Sequence, residues 1–312
     1  MKNTELINEI VYNIDRVVIG KRNEIVNILK GIIAGGHILI EDVPGVGKTT
    51  LVKALAKSLN LTHTRIQFTP DLLPSDITGV SIYNPKNSEF EFKKGPVFTN
   101  IILADEINRT SPKTQSALLE VMEEKQVTEG NKTYKLSEPF IVLATQNSIE
   151  LEGTFILPEA ELDRFMIKVH IGYPNKISEA KILEVYRDSK PLDEINSVAG
   201  IEDILMLQRN CRAIFVSKEI NDYIVNIMDA TRNNKKLVLG GSIRASLCLL
   251  KIAQATALIS GRDYVIPEDI KTNALSVLSH RVILSSSARA NNFTQDNVIM
   301  EIIDAVQVPK VN

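Results

Sequence analysis

The stretch Asp42-Val43-Pro44-Gly45-Val46-Gly47-Lys48-Thr49-Thr50 decides the fold. It follows the apolar run Ile38-Leu39-Ile40 and precedes apolar residues at helical spacing, which predicts a strand, a glycine-rich turn and a helix in that order. The two glycines let the backbone curl so that successive N–H groups point at phosphate oxygens, and the N-terminus of the helix adds positive potential. The sequence therefore predicts a phosphate-binding loop.

Two side chains of this loop have predicted roles. Lys48 is expected to neutralise the β- and γ-phosphates of a nucleotide, and the hydroxyl of Thr49 is expected to hold Mg²⁺. Asp42 replaces the first glycine of the usual pattern G-x-x-x-x-G-K-[ST], a mild loss because the phosphate-cradling amides come from residues 44–49. The alternative is an ordinary glycine-rich turn between a strand and a helix. The predicted nucleotide-contacting set is Val43, Pro44, Gly45, Val46, Gly47, Lys48, Thr49 and Thr50.

A second apolar run, Asn100 to Ala104, ends in two carboxylates, Asp105 and Glu106. Such a run suits a strand buried on both faces of a parallel sheet, and ligand sites of open α/β sheets lie where the strands end. Asp105 is predicted to join the Mg²⁺ shell, and Glu106 to accept a proton from an attacking water. Two acids at a strand end are often only a solvated rim, but their pairing with Lys48 and Thr49 favours the metal-binding interpretation.

Asn147 follows another apolar run, Ile141-Val142-Leu143-Ala144. In a parallel sheet it emerges at the same edge as Asp105 and Glu106, where an amide can orient the attacking water and sense the γ-phosphate. Asparagine at a strand end is also a common turn residue, so the residues alone leave both interpretations open.

Composition bounds the class of protein. The chain has 312 residues, 44% of them hydrophobic and 24% charged, with a formal net charge of −2, which is enough for one large domain or two medium ones. The first residues lack the apolar core of a secretory signal, and no stretch approaches the roughly 20 apolar residues of a membrane span, so a cytoplasmic location without membrane insertion is expected. Without a block of like charges and with a pI near 6.2, nucleic-acid binding is disfavoured. The two cysteines, Cys211 and Cys248, are expected to be structural thiols.

Five apolar runs alternate with helical patterns, which predicts an α/β fold with a five-stranded parallel sheet. Two predicted hairpins interrupt this order, near residues 78–95 and 126–137. After Tyr173-Pro174 only helical patterns remain. The sequence therefore predicts a nucleotide-binding core over residues 1–175, followed by an all-helical lid domain over residues 176–312. The predicted strands are His37 to Glu41, His63 to Phe68, Asn100 to Ala104, Phe140 to Thr145 and Phe165 to His170.

Six stretches, in the right order along the chain, resemble the MoxR family of AAA+ ATPases, and the similarity runs from roughly residue 10 to residue 285. The departures are Asp42, Lys21 where the family more often has Gln, and Ser148 where Pro commonly follows the Asn; none removes a group that the chemistry requires. The stretches are residues 65–76 (RIQFTPDLLPSD), 95–98 (GPVF), 104–109 (ADEINR), 144–147 (ATQN), 157–165 (LPEAELDRF) and 244–246 (RAS).

The resemblance assigns roles to two arginines. Arg164 would be an arginine finger that acts on the ATP of the neighbouring subunit; the alternative is a surface ion pair with Glu161 or Asp163. Arg244 would be the sensor-2 arginine, reaching the γ-phosphate from the lid and coupling hydrolysis to lid rotation. It falls in the first turn of a predicted helix, where a cation opposes the helix dipole without local compensation, although an exposed arginine can stand there by chance. The resemblance also favours the catalytic interpretation of Asn147.

The resemblance implies ATP hydrolysis, with ATP and Mg²⁺ bound, by a homo-oligomer, expected to be a hexameric ring, that remodels or activates a partner protein. It further implies partners with von Willebrand factor A domains, and hairpins that contact substrate near the ring axis. An alternative is a nucleotide-dependent remodeller of DNA or RNA, which nucleic-acid-stimulated ATPase activity would reveal. A third possibility is a binding switch that holds ATP with little turnover, against which both Glu106 and Arg164 argue.

Overall fold

The computed structural model describes residues 2–43, 45–146 and 154–309. A short 3₁₀ helix spans Ile107–Arg109. The strands in these ranges are β1 (Ile38–Glu41), β2 (His63–Gln67), β3 (Gly79–Asn84), β4 (Glu89–Lys94), β5 (Ile101–Asp105), β6 (Gln126–Glu129), β7 (Lys132–Lys135), β8 (Ile141–Gln146), β9 (Ile167–Val169), β10 (Leu237–Leu239) and β11 (Ile283–Leu284). The helices are α1 (Lys2–Asp15), α2 (Arg22–Ile33), α3 (Lys48–Ser58), α4 (Pro74–Thr78), α5 (Pro112–Glu124), α6 (Glu159–Leu162), α7 (Lys176–Asp188), α8 (Pro191–Glu194), α9 (Ile201–Arg212), α10 (Lys218–Arg232), α11 (Ile243–Ile259), α12 (Pro267–Leu278), α13 (Ser286–Ala290) and α14 (Gln295–Ala305).

Five strands form one parallel sheet in the order β2-β5-β8-β1-β9. The five-stranded parallel sheet expected from the sequence is thereby confirmed, with strand ends within two residues of the predicted ones. Ile38, at the start of β1, is level with Leu143 on one side and with Ile167 on the other. Because β1, β8 and β5 are parallel, the predicted phosphate-binding loop after β1 and the two carboxylates after β5 lie at the same edge of the sheet. Only β8 lies between these two strands.

Alternate residues of the strands face opposite sides of the sheet, as the two-residue period of a strand requires. Ile38, Leu103 and Leu143 belong to a buried cluster that includes α1, α2 and α3 and extends into the helices after residue 175. Leu39 and Ile102 belong to a second cluster, on the other face, which α5 covers. Both faces are therefore buried, which explains why these strands read as continuous apolar runs.

The two hairpins expected from the sequence are present as the antiparallel pairs β3–β4 and β6–β7. They contact each other, because the rings of Phe92 and Tyr134 are stacked with their centroids 4.4 Å apart. Several large apolar side chains of the first hairpin remain exposed: Val80, Ile82, Tyr83 and Phe90.

The region after residue 175, which we call the lid, is mainly helical, as the sequence pattern predicts. Its longest helices are α7, α9, α10, α11 and α12. Ser242 caps α11 by accepting the backbone N–H of Ala245 at 3.0 Å, and Pro267 occupies the first turn of α12. The lid also contains one short antiparallel pair, β10–β11, which was not predicted. Strands of three and two residues are too short to show a hydrophobic period. None of the helices in the described ranges has the length and apolar character needed to span a bilayer.

Candidate functional site

The predicted phosphate-binding loop joins β1 to α3. Gly45 and Gly47 have φ angles of +84° and +89°, a conformation that side chains disfavour, and open space surrounds both positions. Gly47 is the N-cap of α3, so Lys48 begins the helix and Thr49 follows in its first turn. The ammonium of Lys48 donates to the main-chain carbonyl of Asp42 at 3.0 Å. Glycines at left-handed positions next to a helix N-terminus form the backbone arrangement that binds phosphate.

Asp42 has a structural role that the motif does not reveal. Its carboxylate accepts the backbone N–H groups of Val43 at 2.9 Å, Ile171 at 2.7 Å and Gly172 at 2.6 Å. These N–H donors stabilise the negative charge of the carboxylate. The residue that replaces the first glycine therefore ties the loop to the chain just after β9.

The two carboxylates after β5 have several partners. Asp105 accepts a hydrogen bond from the hydroxyl of the buried Thr145 on β8 at 2.6 Å, and Arg65 Nη2 lies 2.6 Å from its other oxygen. Glu106 Oε2 accepts from Gln67 Nε2 at 2.8 Å and from Arg109 Nη1 at 3.1 Å. Both acids are thus occupied by neighbouring side chains.

The backbone of Glu106 is left-handed, with φ +57°, a rare conformation for a residue with a side chain. Its N–H donates to the hydroxyl of Thr145 at 2.8 Å, and the same hydroxyl donates to Asp105. Thr145 therefore fixes both acids, one through the side chain and one through the main chain. Backbone strain held in place by neighbouring hydrogen bonds is common in functional sites.

An apolar pocket of about 410 Å³ lies beside the loop, between the end of α1, the loop itself and α7. The hydroxyl of Tyr186 donates to the carbonyl of Val17 at 3.0 Å, and Lys21 Nζ donates to the carbonyl of Tyr173 at 3.0 Å. These contacts tie α7 and the start of the lid to the N-terminal segment around the pocket. An apolar cavity of this size next to a phosphate loop suits the base and sugar of a nucleotide.

The residues fit a magnesium nucleotide. Thr49 hydroxyl and Asp105 carboxylate are hard oxygen donors, which Mg²⁺ prefers, and Mg²⁺ takes its other ligands from phosphates and water. The described ranges contain no group of three or more His, Cys, Asp or Glu side chains that could hold a metal ion. Asn147, Pro44 and Ser148 lie outside the described residues.

The two predicted arginines lie together, away from the loop. Glu123, on α5, pairs with Arg164 at 3.1 Å and with Arg244 at 2.6 Å. Arg164 also donates to the carbonyl of Leu119 at 2.7 Å. The compensation that Arg244 lacks in its local sequence is therefore provided by Glu123.

The alternative ion pair of Arg164 with Glu161 or Asp163 is not the one formed. Glu161 accepts from the hydroxyl of Ser116 at 3.0 Å, whereas Asp163 pairs with Arg281 at 2.7 Å. Both neighbouring carboxylates thus have other partners, and Arg164 pairs with Glu123 of α5 instead.

The arginines and the loop lie at opposite edges of the sheet. Ile167, which begins β9, is level with Ile38, which begins β1. Arg164 precedes β9, whereas Lys48 follows the end of β1. The intervening strand of four residues spans roughly 10 Å, to which the loop adds more. The structure therefore brings Lys48, Thr49, Asp105 and Glu106 to one edge and places Arg164 and Arg244 at the other.

Comparison with known proteins gives a consistent picture. Residues 37–167 match the model of the ATPase family associated with various cellular activities (AAA), and residues 229–302 match the AAA lid domain. The chain is 40% identical to chaperone MoxR1 of Mycobacterium tuberculosis, over 97% of this chain and 82% of that protein. It is 50% identical to the uncharacterized protein YeaC of Bacillus subtilis, over 97% and 95% of the two chains. The crystal structure of a candidate ATPase from Cytophaga hutchinsonii superimposes with a TM-score of 0.92, at 43% identity, over 99% and 96% of the two chains.

Proposed function

The chain belongs to the MoxR family of AAA+ ATPases, and from this premise we propose that it hydrolyses ATP at a site shared between neighbouring subunits of a ring. The observation that carries the proposal is the separation of the groups: the phosphate-binding loop and the acids lie at one edge of the sheet, and the two arginines lie at the other. Such a division suits a head-to-tail contact, in which one subunit's arginines face the next subunit's loop. We expect six subunits.

Binding is the task of the loop. Lys48 and the backbone N–H groups of residues 45–50 would hold the phosphates. Thr49 and Asp105 would hold Mg²⁺, and the apolar pocket would hold the base. Bound Mg²⁺ would supply positive charge that offsets part of the negative charge of the phosphates. To serve as a metal ligand, the Asp105 carboxylate would give up its ion pair with Arg65, which measures 2.6 Å in this structure.

Glu106 is the proposed general base. In this structure Gln67 and Arg109 both contact Oε2 of Glu106, which orients the carboxylate that would take a proton from water. Asn147 is proposed to orient the same water. Arg164 and Arg244 of the neighbouring subunit stabilise the charge on the transferring phosphoryl group, a contribution of about 10³–10⁵ in rate for an arginine finger.

The work coupled to hydrolysis is proposed to be chaperone-like remodelling of a partner protein, with von Willebrand factor A domain proteins as partners. The name of the relative MoxR1 and the exposed apolar residues of the first hairpin support this role. A cytoplasmic location is proposed with it.

A steady-state ATPase assay with two variants and their mixture tests the site. Glu106→Gln should bind ATP and lose turnover by roughly 10² or more, because the amide cannot take a proton. Arg164→Ala should also bind ATP and lose turnover, because the missing cation belongs to the neighbour's site. Arg212→Ala, an exposed arginine on α9, is the matched control and should behave as wild type.

The mixture separates a shared site from a self-contained one. A Glu106→Gln subunit still has Arg164, and an Arg164→Ala subunit still has Glu106. Where the first subunit's Arg164 faces the second subunit's nucleotide site, that site is complete. Two inactive proteins should therefore give a partly active mixture. Full activity of Arg164→Ala alone would refute the shared site. Negligible turnover of the wild-type protein would instead support a binding switch.

A further inference from the structure

The carboxylate of Asp163 joins the segment before β9 to two separate parts of the lid. It accepts hydrogen bonds from the hydroxyl of Ser242 at 2.9 and 3.1 Å and from Arg281 Nε at 2.7 Å. Only 1% of the Arg281 side chain and 19% of the Asp163 side chain are exposed, so solvent hardly screens this ion pair. Arg281 also donates to the main-chain carbonyls of Asp163 and Met166, both at 3.1 Å. This segment is therefore one of the places where the lid is fastened to the core.

Asp163 is adjacent to both arginines of the proposed shared site. Arg164 is the next residue in the chain, and Ser242 caps the helix whose first turn contains Arg244. The guanidinium groups of these two arginines meet on Glu123. A core residue and a lid residue that must act together are thus connected through one carboxylate.

We propose that Asp163 is a positioning residue that holds Arg164 of the core and Arg244 of the lid as one rigid pair directed at the neighbouring subunit's nucleotide. This inference rests on the proposed function, because it concerns the same shared site. Two cations on separate domains would each lose orientation if the domains moved apart, and catalysis by charge stabilisation depends on preorganised geometry. Movement of the lid must then leave the contact between α11 and Asp163 intact.

The sharpest variant is Ser242→Ala. It removes the hydrogen bond between α11 and Asp163 but leaves the buried pair of Asp163 with Arg281, whose disruption could unfold the lid. Ser217→Ala is the matched control, because Ser217 caps α10 by accepting the N–H of Ile220 at 3.3 Å, and its hydroxyl also bonds Glu219 of the same helix. Both substitutions remove a serine cap, but only Ser242 reaches the core.

Each variant is assayed for ATP binding, kcat and KM. For Ser242→Ala we expect kcat to fall at least tenfold. Its KM and ATP affinity should stay within about twofold of the wild-type values, because the phosphate-binding loop of the variant subunit is unchanged. Ser217→Ala should match the wild type. Mixing Ser242→Ala with Glu106→Gln should restore part of the activity, since the Glu106→Gln subunit supplies a well-placed arginine pair. Asp163→Asn is the second variant and should show the same loss with the same rescue.

The mixture of Arg164→Ala with Glu106→Gln is run in parallel as the reference. If that mixture recovers activity and the Ser242→Ala and Asp163→Asn mixtures do not, the positioning role is overturned while the shared site stands. If the reference mixture fails despite demonstrated mixed assembly, both proposals fall. A wild-type kcat for Ser242→Ala also overturns the inference. An equal loss of kcat in Ser217→Ala overturns it too, because weakening any lid helix would then have the same effect.

Discussion

Replacing Glu123 by glutamine tests whether Glu123 holds Arg164 and Arg244 in an inactive position in the isolated chain. Glu123 pairs with both Arg164 and Arg244, and the side chains of all three residues are between 30% and 43% exposed. Ion pairs this accessible to solvent are worth about 0–1 kcal/mol each, so releasing both arginines requires at most about 2 kcal/mol. An arginine finger lowers the barrier by about 4–7 kcal/mol, the equivalent of 10³–10⁵ in rate. The contact with the neighbour should therefore outweigh the contact with Glu123.

For Glu123→Gln we expect the free energy of unfolding to change by no more than about 2 kcal/mol, and kcat to be unchanged or to rise by up to about thirtyfold if release of the arginines limits turnover. Urea denaturation and a steady-state ATPase assay measure the two quantities. Glu124→Gln, one residue further along the exposed end of α5, is the control and should leave both unchanged. A folded, assembled Glu123→Gln protein that lost hydrolysis as completely as Arg164→Ala would refute the reasoning, because Glu123 would then belong to the working site.

Three further outcomes are expected. Lys48→Ala should weaken ATP binding at least tenfold, about 1.4 kcal/mol, in an equilibrium titration, and near-normal affinity of the folded variant would refute the assignment of the loop. Burial lowers the pKa of His37 from 6.5 to about 4, so protonation of this residue favours the unfolded chain. In urea titrations the free energy of unfolding should therefore begin to fall below pH 6.5, and this loss, about 3 kcal/mol, should be complete below pH 4. An equally steep loss in His37→Asn would assign the pH dependence to other groups. Burial raises the pKa of Cys211 to about 12, so a thiol reagent at pH 8 should label this residue only after denaturation, and rapid labelling of the native protein would contradict the buried position.

Local sequence patterns were sufficient for the sheet, the loop and the acids. Glycine at positions 45 and 47 is required by the backbone conformation itself, and a strand buried on both faces is visible as an apolar run, so each feature could be predicted from a few adjacent residues. That Asp105 lies at the same edge as the loop follows from the rule that ligand sites of parallel sheets lie where the strands end. The strand order was not predicted.

Contacts between distant parts of the chain could not be predicted from such local patterns. The partners of Glu106, namely Gln67 and Arg109, include one from another strand, and nothing in the periodicity of β2 singles out its last residue. Glu123 is one of several acids near the end of an ordinary amphipathic helix, and only the fold brings it to both arginines. The apolar pocket is assembled from the predicted loop, residues 17–21 and residues 173–186, and neither of the last two segments looks like a binding site alone.

The position of Arg244 changes how lid movement and hydrolysis can be coupled. An arginine that reached its own chain's phosphates from the lid would transmit rotation of the lid within one subunit. In this structure Arg244 lies beside Arg164 at the far edge of the sheet, and Asp163 fastens the start of its helix to the core. A lid that moves with this segment carries both cations toward or away from the neighbouring nucleotide together. In the proposed ring the coupling therefore runs between subunits, because the arginine that would sense the phosphate and the loop that would bind it belong to different chains.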